Sequence, residues 1–162
     1  MLKKCIILVT LLLSTTVFAS RNHANFKVLV NTGVTVHEEL TNPKAILNLG
    51  TTFYKTVNPY DQLNVNLGLG AEIGSHFTKS EAVGVFSPFV SLELKRNITA
   101  YTDVYGGINL GTSTSFAHNK AAKTSFNVKT FVGLTFYDKV SIELGVGSPS
   151  TFSFGIGARI GL

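Results

Sequence analysis

From residue 63 to residue 77 the sequence alternates strictly between two kinds of side chain. Leu63, Val65, Leu67, Leu69, Ala71, Ile73 and Phe77 fall on one parity, broken only by Ser75. Asn64, Asn66, Gly68, Gly70, Glu72, Gly74 and His76 fall on the other. Successive side chains of an extended strand point to opposite faces, so this segment is a strand with one oily side and one polar side. The same alternation returns at 98–112, at 125–137 and from Phe152 to the end of the chain. Weaker versions run over 26–37, 45–57, 83–95 and 140–147. No segment after Ala24 carries a helical period. Eight strands are expected, with a β-bulge near Phe86-Ser87-Pro88, where the phase slips and a proline interrupts the donors.

The connections follow the count. Short polar turns are expected at 57–62, 95–97 and 137–139. The alternate links are 38–44, 78–82, 113–124 and 148–151, the third being the longest. An even number of strands leaves both termini at one end.

Alternation also suits soluble barrels, so the content of the two faces has to decide. Only 14% of residues are charged, against about 25% in soluble domains. The polar faces carry glycine and asparagine rather than the lysine and glutamate of a water-facing exterior. An eight-stranded interior is only just wide enough for side chains. Gly68, Gly70, Gly107, Gly145, Gly155 and Gly157 would make room there for Tyr54, Tyr101, Tyr105 and Phe131. The apolar faces sort by depth. Phe26, Phe53 and Phe136 fall toward one edge, and Phe77, Phe86, Phe126, Phe152 and Phe154 toward the other, with aliphatic residues between. Such girdles mark a wall that faces hydrocarbon. In-strand charges keep to the polar side: Lys27, Glu72, Glu93, Asp103, Lys129, Glu143 and Arg159. Lys55 alone breaks the rule, near a strand end where its stem can reach the interface.

The N-terminus supplies the compartment. Lys3 and Lys4 precede an apolar run from Cys5 to Leu13, and Val17-Phe18-Ala19 closes the segment. That is the pattern of a secretory signal peptide, cleaved after Ala19, and its run is too short for a spanning helix. Residues 1–19 are therefore read as a leader and 20–162 as one domain. Cleavage removes the only cysteine, so no disulfide or thiolate metal site is available. It also lowers the formal charge from +5 to about +3, with no basic run that would suit nucleic acid.

On these residues the chain resembles the small outer-membrane barrels of the OmpA/OmpX type, without a peptidoglycan-binding domain. The resemblance covers the whole of 20–162 and is one of pattern. It implies an all-β, eight-stranded antiparallel up-and-down transmembrane barrel in the outer membrane of a Gram-negative bacterium. It also implies contact with membrane lipids and lipopolysaccharide, and delivery by the outer-membrane assembly machinery. Phe154, Ile156, Ala158, Ile160 and Leu162 match the alternating C-terminal strand that such proteins present for assembly. The family usually ends in an aromatic residue, whereas this chain ends in Leu162.

Candidate chemistry is sparse. The interior charges are expected to pair, because an unpaired buried charge is costly. Glu143 and Arg159 are placed at one depth on neighbouring strands, in a lower layer with Glu93, Asp103 and Lys27; Glu72 and Lys129 form an upper layer. The main expectation is an ion-pair network that plugs the interior, and the alternative a narrow porin-like pore using the same residues. His37, His76 and His118 fall near one rim. The best hydrolase-like groupings are His76 with Ser80 and Glu81, or His118 with Ser113 or Ser115. Neither has the fixed nucleophile, base and orienting group of a catalytic triad, so a lipid-A-modifying enzyme stands as a second alternative. Gly68-Leu69-Gly70 lies inside a strand and is not a phosphate loop. No cofactor or metal site is expected. Lys120 and Lys123 make the third long link mildly basic. The reading is a structural or surface-interaction barrel; nothing in the residues sets its ligand or oligomeric state.

Overall fold

A computed structural model of the chain describes residues 26–37, 44–59, 63–77, 82–117 and 120–162. The predicted leader, Ser80, Glu81 and His118 lie outside the described residues, as do the side chains of His37 and Phe77. Eight strands follow one another: β1 (Phe26–His37), β2 (Lys44–Pro59), β3 (Leu63–Phe77), β4 (Ala82–Asn97), β5 (Thr102–Ala117), β6 (Lys123–Phe136), β7 (Val140–Ser148) and β8 (Ser150–Gly161). Each pairs antiparallel with the next, and β8 pairs with β1 from Lys27↔Gly161 to His37↔Ser150, closing the barrel. Closure leaves no open sheet edge with unpaired backbone groups. Leu162 N donates to Phe26 O at 3.0 Å, so both described ends of the chain are tied at one rim. That rim, with the turns at 98–101 and 137–139, is the terminal end. The opposite rim is the loop end.

The parity read from the sequence is the parity of the wall. Odd positions of β3 face outward, and Leu69 is 66% exposed. The buried set is polar as well as apolar, with Leu29, Tyr54, Tyr105 and Phe131 beside Glu93, Lys95, Thr135 and Arg159. A fold that exposes its leucines and buries its charges is inverted relative to a water-soluble core. Phe26 and Phe53 stand exposed toward the terminal end, and Phe86, Phe126, Phe152 and Phe154 toward the loop end. The C-terminal segment forms β8, with Phe154 and Ile156 on the outside.

Small residues fit the interior to its large ones. A β-carbon added at Gly68 would stand 2.8 Å from the Tyr54 ring, and one at Gly133 would collide with the Tyr105 hydroxyl. These glycines are needed for close approach rather than for unusual backbone angles.

Several boundaries differ from expectation. The bulge expected near Phe86-Ser87-Pro88 is absent, because β3 pairs through Phe86, Ser87 and Pro88 without a shift. The apparent slip arises because Phe89 turns inward, its ring against the space over Gly70. The register shifts instead between Val36 and His37 and between Thr56 and Asn58. The turn expected at 95–97 lies at 98–101. Strand β4 continues to Asn97, and the chain reverses where Ile98 N and Thr99 N both donate to Thr102 O. Ile98 and Ala100 keep a period of two through a segment that is no longer extended. Tyr101 consequently sits in the turn, 61% exposed, and not in the interior. Most of the expected link 113–124 is strand, with Ser113, Thr114 and Ser115 opposite Ser125, Thr124 and Lys123. The expected link 148–151 shrinks to Pro149 between β7 and β8. Links at the loop end are therefore scarcely longer than the turns at the terminal end.

A hydrocarbon-facing wall makes a direct demand. Replacing Leu69, near the middle of β3, with arginine is expected to destabilise the barrel by ~2–4 kcal/mol. Urea unfolding in phospholipid vesicles measures the loss, and an unchanged midpoint would contradict the assignment of this face.

Candidate functional site

The interior is the one concentration of titratable groups among the described strands, and it is ordered in layers along the axis. At the terminal end, Asp138 closes the mouth. It lies in the 137–139 turn, where Tyr137 and Asp138 both have positive φ (53° and 57°) and Lys139 N donates to Phe136 O at 3.0 Å. Two positive φ values make a turn whose twist matches the strands it joins, and asparagine or glycine usually occupies such positions. Asp138 tolerates the conformation better than Tyr137 does. The turn is held from outside itself. Tyr137 N donates to Tyr101 O at 2.7 Å, and the Tyr101 and Tyr137 rings lie 5.2 Å apart. The Asp138 carboxylate accepts from Lys27 of β1 at 2.7 Å and from Lys95 of β4. Lys95, 3% exposed, also pairs with Asp103 at 2.8 Å. Burial alone would raise the Asp138 carboxyl, but the Lys95 and Lys27 ammoniums outweigh it and hold it below the ordinary carboxylate range.

Above that clamp Arg159 of β8 crosses the lumen to Glu93 of β4, halfway round the barrel. Nη1 donates to Oε1 at 2.8 Å and Nη2 to Oε2 at 2.7 Å, the bidentate geometry that a guanidinium and a carboxylate favour. Glu93 is 0% exposed. Asn66 Nδ2 donates to its Oε1 at 2.9 Å, and Thr56 donates to Asn66 Oδ1 at 2.7 Å, so the carboxylate's acceptors are met from both sides. The guanidinium also lies 4.4 Å from the Tyr105 ring centroid and 5.6 Å from that of Tyr54. Such stacking suits a planar, weakly hydrated cation better than it would suit lysine.

Closer to the loop end, Lys129 of β6 donates to Glu143 of β7 at 2.8 Å. Glu72 of β3 accepts from Asn48 Nδ2, which also donates to Thr35 at 2.6 Å. Thr35, Asn48, Glu72 and Lys129 border a cavity of about 20 Å³, room for a single water. Ser87 donates to Ser113 at 2.9 Å across the neighbouring strands.

Lys27, Glu72, Glu93, Asp103, Lys129, Glu143 and Arg159 all point into the lumen, but not all at the depth expected of them. Glu143 stands opposite Gly155 in the β7–β8 register, whereas Arg159 N meets Lys139 O beyond the end of β7. Glu143 and Arg159, expected at one depth, are therefore set apart: Glu143 pairs with Lys129 in the upper layer and Arg159 with Glu93 in the lower. Lys95 and Asp138 are members that the sequence reading assigned to turns. Lys95 shares the parity of Glu93, which was the available signal. Asp138 gave none, since its reach into the lumen depends on the closed barrel.

The hydrolase groupings gain no support from the described geometry. His76 Nδ1 lies 2.9 Å from Ala45 O, and its Nε2 is buried without a partner. Ser115 donates to Lys123 O at 3.3 Å, and Ser113 accepts from Ser87. Neither serine meets a histidine among the described residues. No cluster of three metal-ligating side chains occurs among them either.

Two variants separate the layers. Arg159→Ala leaves Glu93 buried without its cation and is expected to cost ~3–5 kcal/mol; unfolding in vesicles reads it, and a loss under 1 kcal/mol would contradict the bridge. Asp138 gives a pH signature. A depressed folded pKa contributes stability that is present above the ordinary aspartate value of about 4 and fades as the pH falls through the lower folded value. Wild type is expected to lose stability on acidification to that range more steeply than Asp138→Asn, measured by unfolding midpoints against pH.

No known family profile matches the sequence, and no curated protein matches it. Solved structures do. Neisserial surface protein A, NspA, superposes with a TM-score of 0.68 at 11% identity, over 86% of this chain and 98% of that one. Ail, the attachment invasion locus protein of Yersinia pestis, solved with the heparin analogue sucrose octasulfate, gives 0.57 at 12% identity over 83% and 97%. The outer membrane enzyme PagL gives 0.51 at 12% identity over 84% and 99%. Identities this low speak to architecture alone. The chain has the fold of the small eight-stranded outer-membrane β-barrels.

Proposed function

We propose that this chain is an integral barrel of a bacterial outer membrane whose role is structural or surface-interacting, with a sealed interior and no catalytic activity. The observation that carries this reading is the Arg159–Glu93 bridge across the full width of the lumen. It is backed by Tyr54, Tyr105 and Phe131, all nearly inaccessible, and by the Asp138 clamp at the terminal end. A passage for solutes would need a continuous polar channel, and the lumen cavity above the bridge holds about one water.

The fold by itself assigns no activity, since one barrel architecture hosts unrelated functions; PagL is an enzyme and NspA a surface protein. The exposed apolar wall supports residence in a bilayer. The leader at 1–19, with cleavage after Ala19, and the β8 residues Phe154 to Leu162 support export and outer-membrane assembly. On this reading the terminal end faces the periplasm and the loop end faces outward. Lys120 then lies in the link between β5 and β6 and Lys123 opens β6, on the end that would meet lipopolysaccharide. Ail was solved with a heparin analogue, so one barrel of this architecture takes an anionic ligand.

Planar-bilayer recording tests the seal. Purified wild type is expected to show no steady unitary conductance, and Arg159→Ala to lose stability without gaining a regular channel. Steady wild-type currents would overturn the sealed reading in favour of a narrow pore. Heat-modifiable gel migration of the membrane fraction confirms that the recorded protein is a folded barrel.

A further inference from the structure

Lys55 remains unexplained by the interior network. It is exposed on the outer face of β2, two residues from Phe53 and opposite Phe26 of β1 in the register. Its Nζ stands 5.7 Å from the Phe26 ring centroid. Charge on the apolar wall costs little near an interface and ~2–4 kcal/mol at mid-membrane, so an ammonium here is favoured where an anion meets it. From Lys55 a groove of about 600 Å³ runs over the outside of the barrel, its floor built by Phe53, Leu67, Leu69, Val90, Leu92 and Leu110. Lys55 is the one charged residue lining it. That volume lies within the ~300–1,000 Å³ of small-molecule sites.

A cation at one end of an oily trough has a definite complement: an amphiphile with an anionic head and a hydrocarbon tail. The cation lies toward the terminal end and the trough extends toward the loop end. The head must therefore sit at the rim where the turns are, with the tail rising along the wall. We propose that Lys55 and this groove form a binding site for an anionic glycerophospholipid of the periplasmic leaflet, the phosphate at Lys55 and an acyl chain along Leu67, Leu69 and Val90. The leaflet assignment rests on the orientation proposed above; the ligand chemistry rests on the groove alone. A second copy of the chain is the competing occupant. The described strands of its wall would bring a second row of leucines but no carboxylate for Lys55.

The test uses the refolded protein in zwitterionic micelles, titrated with phosphatidylglycerol or phosphatidylcholine and read by native mass spectrometry. Wild type is expected to retain one phosphatidylglycerol in preference to phosphatidylcholine. Lys55→Met is expected to bind it about fivefold more weakly and to lose the preference, while Lys55→Arg keeps both. Heat-modifiable migration of all three proteins excludes misfolding as the cause. Equal phosphatidylglycerol binding by Lys55→Met and wild type would overturn the proposal, as would a dimer that carries no lipid. Labelling of a cysteine placed beside Lys55 in intact and in opened cells reads the leaflet separately. Failure of the orientation and failure of the lipid site are thereby distinguishable.

Discussion

Everything in this molecule follows from a wall that cannot offer hydrogen bonds to its surroundings. With leucine or phenylalanine outward on every strand, the solvent of that wall is hydrocarbon. There an unsatisfied backbone N–H or C=O costs several kcal/mol. A sheet pays that cost only along its edges, so the stable solution is a sheet without edges. The pairing of β8 with β1 along nearly their whole length is the step that removes them. The same requirement explains why β4 to β6 extend through segments whose serine and threonine content looks loop-like. Each further rung satisfies two more backbone groups, and hydroxyls such as Thr114 and Thr124 bond each other across the strands at 3.0 Å.

Closure creates the second problem. Eight strands enclose a lumen too narrow for bulk water yet lined by the polar parity of every strand. The charged side chains there answer one another across the axis as well as around it, while Ser91 Oγ, Asn109 Oδ1, Thr135 Oγ1 and Arg159 Nε are buried without a partner. Glu93 and Arg159 sit on opposite walls, and Asp138 gathers Lys27 and Lys95 from β1 and β4. Bonds that cross the lumen couple strands that share no ladder. A buried ion pair is weak evidence for net stability, because apolar residues of like volume often do as well. Its value here is specificity: a barrel in which β4 and β8 slip relative to each other would strand both charges.

The parity of the strands was legible because period two is a local property, and a face that meets lipid has to be apolar at every second residue. The seven interior charges could be assigned to the correct face on that ground. Their partners could not, since partnership depends on shear between strands and on which walls face each other. Glu143 and Arg159 are both inward on adjacent strands, yet the register sets them apart, and Arg159 finds its acid four strands away. Turn positions were misread where side chains imitate strand. Ile98, Ala100 and Thr102 keep the alternation through a backbone reversal, which took Tyr101 out of the lumen and left Lys95 assigned to a turn. Phe89 made the opposite error, an aromatic on the polar parity that imitated a bulge; it is inward because Gly70 leaves it space.

Lys55 shows where the two problems meet. Inside the lumen Lys27, Lys95, Lys129 and Arg159 are each answered by a carboxylate of the same chain. On the outer wall no carboxylate stands among the residues that line the groove with Lys55, and among the described residues its companion is the face of Phe26. A cation–π contact of that kind is worth ~0.5–1 kcal/mol at an exposed site, less than a full counter-charge supplies. The remaining compensation has to come from the membrane, whose phosphates lie where a lysine stem near the strand end extends. The wall therefore has a polarity of its own, with oil along most of its height and the cations Lys55 and Arg96 toward the terminal end. An apolar band ends where such charges begin, so they mark the terminal edge of the wall that hydrocarbon can cover.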